Sequence, residues 1–506
     1  MRRTLILLAA LLGGCSGEPA ASGKVLIWAR GGDSRTLDPA QVEYGEDAKI
    51  TQNVFETLVA YKDDSVELEP RLATRWTFSD DGRTLTFELR ENVVFHDGTT
   101  FDADDVVFTF GRLLDPKHPH APRAVPYASS FGNIVSVKAD GPRKAVFTLK
   151  APSVVMLHNL ALFGAAVVSP EAVAKEGEAF GRRPVGTGPY RMARWEKDVK
   201  IELAAFDRYW GRKPSIPLVI VVPVPSPQTA VEKLKRGEVH AIDHPTPSDA
   251  RALQADPAMA VHSLPGMNVV YLAFNLRKEP YSDRRLREAI GLALDRAAIN
   301  ERVFNGLGTI ATNLVPPSVW PGEPLPPYAH DPAKAKAALA ALKPPELEII
   351  YNTLPRPYNP EPQRLAEAIR DQLAAVGLRV RLTGYDRPAF EVKYKEPGHA
   401  MYISGWLADI QDPDNFFHPL LHGESKKDMN ASFFDDPAFN TAVSDAQKEA
   451  DPAKRRALYA TAAEVYRREL PTISLTHLPQ IVIARKNVKY RLHAIEYRFY
   501  TADLGE

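Results

Sequence analysis

The stretch that most restricts the fold runs from residue 347 to 407. "LEIIYNT" (347–353) is a short apolar run that reads as a strand. "PEPQRLAEAIRDQLAAVG" follows and places Leu365, Ala368, Ile369, Leu373 and Val376 on one helical face, closed by Gly377. "LRVRLTGY" and "AMYISGW" are then strands again. Strands alternating with amphipathic helices demand a sheet covered by helices, so the fold class is α/β.

The same alternation is looser upstream. "KVLIWARGG" is a strand ending in glycines, "RTLTFELRENVVF" (83–95) alternates with Leu85, Phe87 and Leu89 on one face, and "FDADDVVFTFGRLL" (101–114) starts acidic and turns helical. "IPLVIVVPVPSP" (216–227) reads as a buried strand leading into a helix, and "VVYLAFNL" (269–276) as another strand. "SDRRLREAIGLALDRAAI" (282–299) predicts one helix with Leu286, Ala289, Ile290, Ala293 and Ala297 inward. Asp-Pro-Ala at 331, 436 and 451 marks three helix starts, with aspartate as the cap and proline in the first turn.

The single cysteine of the 506 residues is Cys15. Arg2 and Arg3, the apolar run Thr4 to Leu12, and Gly13-Gly14 precede it, in the layout of a secretory signal. The run is far shorter than the ~20 residues a membrane-spanning helix needs. Leu12-Gly13-Gly14-Cys15 resembles the bacterial lipoprotein box, which implies that the Cys15 sulfur carries a lipid and anchors the chain to a membrane, with residues 15–23 as a tether. A plain signal peptide is the alternative. Disulfides hold no part of the chain that follows.

Basic and acidic residues balance at 63 each, and losing residues 1–14 with Arg2 and Arg3 leaves a net charge of −2. Nothing there suggests a nucleic-acid surface. No histidine is followed by glutamate, which excludes the His-Glu-x-x-His zinc motif, and no Gly-x-Ser-x-Gly elbow occurs. "GLGTIA" (306–311) follows a helical segment, so Gly306 is read as a helix stop. His418 and His422 lie one helical turn apart and are read as structural, with no metal and no cofactor assigned. The sequence supports binding and gives no positive sign of an enzyme.

Two loops carry the chemistry. "LPRPYNP" (354–360) follows a strand and precedes a helix, where ligands bind in α/β sheets. Arg356 there has a planar fork suited to a carboxylate, although local sequence reads equally well as a surface residue of a proline-rich turn. "SGWLADIQDPDNF" (404–416) also leaves a strand end. It offers Gly405 for close backbone approach, Trp406 as an apolar wall, and Asp409 as an anion, with Asp412 and Asp414 read as helix caps. An arginine and an aspartate on neighbouring loops suit a zwitterion.

"VFETLV" (54–59), "FHDGTTFDADDVVFTF" (95–110), "PVGTGPYR" (184–191), "YLAFNLRKEPYSDRRLREAIGLALDR" (271–296) and "GWLADIQDPDNF" (405–416) together resemble the extracellular solute-binding proteins of the peptide/nickel ABC-importer family. "PRPYNP" followed by "AEAIRDQLAAVG" is most similar to its dipeptide-binding branch. The resemblance implies a two-lobe periplasmic-binding-protein fold with a hinge and an extra subdomain in lobe I. Lobe I takes 24–265 plus 478–506, and lobe II takes 266–477. It also implies that Arg356 takes a peptide's carboxylate and Asp409 its α-amino group, and that Gly405, Trp406 and Leu407 pair with the peptide backbone. By the same analogy Tyr44 to Asp47 and the turn "RGGDSRTLDP" (30–39) face the cleft. The implied partners are a dipeptide or short peptide and the permease subunits of an ABC transporter, with the protein a monomer. Relatives that take nickel chelates, haem or longer peptides keep the cargo open, and a secreted peptidase is the alternative of another class.

Overall fold

The computed structural model describes residues 24–505 apart from 64, 321, 324 and 428. The signal segment, Cys15 and the tether lie outside the described residues. Within them the chain builds two large sheets, a smaller four-stranded one, and two two-stranded pairs, Val59–Tyr61 with Leu68–Pro70 and Val488–Lys489 with Asp503–Leu504.

The first sheet has seven strands in the spatial order Met259–Leu264, Gln480–Arg485, Ala241–Ile242, Val25–Arg30, Leu218–Pro223, Lys200–Ala205 and Tyr190–Glu196. Val25–Arg30 lies parallel to both of its neighbours and is buried on both faces: Trp28 packs on one side and Ala29 on the other. The C-terminal segment closes the Trp28 side, with the rings of Tyr490 and Phe499 4.9 and 5.2 Å from the indole. Strand Leu218–Pro223 is not buried throughout, as its apolar run suggested. Val219 and Val221 are inside while Leu218, Ile220 and Val222 are only partly covered, because an apolar run does not reveal how much of its second face a neighbour will reach.

The smaller sheet is antiparallel, in the order Ala73–Phe78, Thr84–Leu89, Lys144–Leu149, Ile134–Ala139. Leu85, Phe87 and Leu89 point inward from the second strand, as a period of two requires. Helix Ala103–Leu114 covers them, started by a capping box in which Asp102 and Asp105 each accept from the other end of the first turn.

The second large sheet runs Thr309–Ile310, Thr472–His477, Asn268–Ala273, Met401–Leu407, Leu347–Asn352, Val380–Tyr385. Asn268–Ala273 is wholly buried, alternate residues entering two different cores, which explains why it reads as an unbroken apolar run. Leu347–Asn352 is parallel to the strands on either side, and helix Pro362–Ala375 connects it to Val380–Tyr385. The expected helix over 282–299 is in fact two, Arg284–Ala293 and Arg296–Phe304. Asp295 caps the second through Ala298 N, so the helical phase restarts and Ala297 faces solvent instead of the core. Asp331, Asp436 and Asp451 all cap helices with proline in the first turn.

The chain passes from the first large sheet to the second between Leu264 and Asn268, and returns between His477 and Gln480. These two short passages lie side by side. Asn268 bridges them: its Nδ2 donates to Leu478 O at 2.7 Å, its Oδ1 accepts from Leu478 N at 2.9 Å, and its carbonyl lies 2.7 Å from His477 Nδ1. Any side chain at Gly266 would collide with the Leu478 carbonyl, so glycine permits this contact. The chain thus forms two lobes joined at a double crossing.

Candidate functional site

Strands Leu347–Asn352 and Met401–Leu407 are parallel neighbours, with Tyr351 opposite Ile403 as their last pair. Both therefore deliver their following loops to the same sheet edge. Beyond Ile403 the strand keeps a partner on one side only, Ser404 to Leu407 pairing with Tyr271 to Asn268. Among the described residues no strand pairs with the other backbone edge of Gly405 to Leu407.

The Arg356 loop is a tight turn. Arg356 N donates to Asn359 O at 3.0 Å and Asn359 N to Arg356 O at 2.8 Å. Tyr358, between them, lays its ring against Gly405, where any Cβ would collide with that ring and with the Val269 carbonyl. Close approach at Gly405 is thus already used by the protein's own tyrosine. The half-buried Arg356 has its guanidinium 6.0 Å from the Tyr358 ring centre, and among the described residues it forms no ion pair or side-chain hydrogen bond. Leu407 is 45% exposed at the end of its strand.

Asp409 lies two residues beyond Leu407. Asn415 folds the loop: its Oδ1 accepts from Asp409 N at 3.0 Å and from Trp406 Nε1 at 3.1 Å. The Asp409 carboxylate is half-buried and its Oδ1 accepts from Tyr127 Oη, at 3.1 Å, from the other lobe. Among the described residues no cation pairs with it. Burial pushes its carboxyl up to about 7, opposed only by the Tyr127 hydrogen bond. Tyr127 in turn is pushed upward by burial and by the nearby Asp409 carboxylate, with Glu43 adding to this. Glu43 also acts on Arg387 of lobe II, whose charge is held by Glu391 against the cost of burial. Tyr127, Glu43 and Arg387 thus belong to the region where the lobes meet. Tyr127 and Arg387 sit in segments without any sequence mark of binding, Glu43 is the residue before Tyr44, and Tyr358 and Asn415 lie inside the two loops already singled out.

Arg356, Asp409, Gly405, Trp406 and Leu407 come together at one sheet edge. Tyr44 is in lobe I, its ring under the Arg35 guanidinium at 4.8 Å and its hydroxyl against Gly32. The 30–39 turn is tied up internally: Arg30 bonds Ser34 and Asp33, and Asp38 holds Arg112 at 2.6 and 3.1 Å. Asp412 lies one residue before Pro413, the N-cap of helix Asp414–Leu421, and accepts from Asp414 N, but its main partner is Arg455, bound through both oxygens at 2.7 and 2.8 Å. Asp414 is no cap; it lies in the first turn of helix Asp414–Leu421 and accepts from Gln447. His418, His422 and Glu424 cluster, yet the imidazoles stack nearly parallel at 4.8 Å, so their in-plane lone pairs do not converge. His422 is also engaged at both nitrogens by Glu424 N and by Asn440 and Ser444.

Among the described residues this sheet edge thus carries an arginine and an aspartate that have no oppositely charged partner. The family model of the bacterial extracellular solute-binding proteins, family 5, matches residues 67–428. The chain belongs to that family. Its members are substrate-binding components of ABC importers, proteins of the periplasm that bind solutes without transforming them. This family 5 chain is 32% identical to the dipeptide-binding protein of Escherichia coli strain K12, over 92% of this chain and 91% of that one. It is 34% identical to heme-binding protein A of Haemophilus influenzae, over 84% and 82%. Among solved structures, the periplasmic binding protein DppA from Helicobacter pylori in complex with the peptide STSA superposes with a TM-score of 0.84 at 29% identity, covering 96% of this chain and 98% of that one. Among the described residues of the family 5 chain, no helix is long and apolar enough to cross a membrane.

Proposed function

We propose that this protein captures dipeptides between its lobes and delivers them to the permease of an ABC importer. The observation that carries the reading is the pair of half-buried, unpaired charges on adjacent loops. Arg356 takes the peptide's carboxylate through its planar fork, and Asp409 takes the ammonium. The open backbone edge of Gly405, Trp406 and Leu407 accepts the peptide as a short added strand, which gives affinity without reading side chains. Residues 24–265 with 478–506 form lobe I, residues 266–477 form lobe II, and the double crossing at Gly266 and Leu478 is the hinge. Tyr44 belongs to the lobe I wall. The working unit is a monomer.

Mass spectrometry of small molecules released from the purified protein, followed by calorimetry with the dipeptide Ala-Ala, tests the reading. Stoichiometric binding without hydrolysis is expected. Recovery of haem or a metal chelate, with no dipeptide binding, would overturn it. The similarity to heme-binding protein A supports haem as the second reading.

We further propose that Cys15 carries a lipid anchor. Cys15→Ala should leave a folded, dipeptide-binding protein that no longer fractionates with membranes. A mutant that still does so contradicts the anchor.

A further inference from the structure

The loop that presents Asp409 continues past the cleft into the other lobe. Ile410, the next residue, is 3% exposed and sits in the apolar core of the four-stranded unit, in the cluster of Leu58, Tyr61 and Val155. Gln411 N donates to Tyr61 Oη at 3.0 Å, and that oxygen lies 2.9 Å from His158 Nδ1. The other ring nitrogen of His158, Nε2, lies 3.7 Å from Asp412 Oδ2. Asp412 is fixed by Arg455 of its own lobe. The path leaves lobe II at Asp412, runs through His158 of helix Val155–Asn159 and Tyr61 of strand Val59–Tyr61, and re-enters lobe II at Gln411. A further hydrogen bond, Val154 N to Gln447 O at 3.0 Å, joins the same two regions.

We propose that Ile410 with the Tyr61–His158 pair is the latch of the closed cleft, and that Tyr61 and His158 are positioning residues for Asp409. From the opposite lobe they hold the loop whose carboxylate meets the ligand. A ligand shifts the lobes only through what differs between open and closed states. Seating one isoleucine side chain favours the closed state by roughly tenfold to a hundredfold, whatever side chains the ligand has. The latch therefore supplies closure that does not depend on cargo sequence. Its ligand arm rests on the dipeptide reading; its distance arm does not.

The test places spin labels at Val135→Cys, on the four-stranded unit, and Val392→Cys, on lobe II, both exposed, in a Cys15→Ala background. Distances are read without ligand and with saturating Ala-Ala. In whichever state the parent shows a short-distance population, Ile410→Asp should deplete it by about tenfold or more, since an unpaired charge cannot enter that core. Tyr61→Phe, which keeps the ring, should deplete it about tenfold or less. Ala-Ala should dissociate faster by matching factors at an unchanged association rate. The latch is overturned by a short-distance population that neither variant reduces, by its absence from the parent in both states, or by lost affinity with the population intact. If the parent binds no Ala-Ala, the dipeptide reading fails and the unliganded distances alone decide the latch.

Discussion

Arg30, the last residue of strand Val25–Arg30 in lobe I, and Arg356, in the loop after strand Leu347–Asn352 in lobe II, meet opposite fates. Arg30 is fully buried and hydrogen-bonded to Ser34, Asp33 and the Glu46 carbonyl. Around it Lys49 pairs with Glu46 and Asp243 at 2.9 and 3.0 Å, and Asp38 pairs with Arg112. Arg356 is half-buried and its guanidinium has no such partner among the described residues. Asp409 has a tyrosine hydroxyl and no cation. Charges that hold a lobe together are matched within it, and under the proposed function the two left unmatched are the ones a ligand meets. On that proposal recognition concentrates in lobe II, while lobe I contributes cover and the Tyr127 hydroxyl.

The largest expected effect tests the structural side of that contrast. Asp38→Asn leaves Arg112 buried without its counter-ion and should cost about 3–5 kcal/mol of stability, read by denaturant unfolding, with dipeptide affinity of the folded fraction unchanged. A loss of affinity instead would give lobe I charges a binding role. Next in size, Asp409→Asn should weaken dipeptides roughly a hundredfold or more and hardly affect N-acetyl dipeptides, which the parent should already bind poorly. Equal losses for both ligands in calorimetry would remove the ammonium from this site.

Arg356→Ala should reduce dipeptide affinity by about ten- to a hundredfold and narrow the gap between di- and tripeptides. With the amine fixed at Asp409 and the carboxylate at Arg356, an extra residue overshoots by ~3.3–3.6 Å. Arg356→Lys should restore part of the loss, a point charge replacing a fork. The Helicobacter pylori relative seen with the peptide STSA makes the di/tripeptide ratio the informative number: if Arg356→Ala leaves it unchanged, the two charges do not measure length.

The smallest effect is a pH dependence. The Asp409 carboxyl, raised to about 7 by burial, is increasingly neutral as pH falls below 7, and an ammonium favours the ionised form. Dipeptide affinity should hold above about pH 8 and drop by up to about tenfold per pH unit below 7, with about one proton released on binding near pH 6. Stability of the unliganded protein moves the other way: a raised carboxyl favours the folded state at low pH, and this contribution is lost as pH rises through about 7. Asp409→Asn should flatten both. A steep affinity profile that survives in Asp409→Asn would place the titrating group elsewhere.

The amino-acid sequence by itself determined the α/β class, because periods of 2 and 3.6 are written in the spacing of apolar residues. It determined the three Asp-Pro-Ala helix starts, whose capping is local, and the two loops of the site, because each follows a recognisable strand end. The break at Asp295 needed the structure, since "REAIGLALDRAAI" keeps a helical period through a residue that caps equally well. The partner of Asp412 also needed it, because the local contact with Asp414 N lies two residues away and Arg455 lies 43 residues away. Only the fold brought Tyr127 to Asp409 across 282 residues, and only the fold filled the space above Gly405 with Tyr358. Local sequence records conformational preference over a turn or two, whereas the partner of a charge is set by which chain ends the sheets place together.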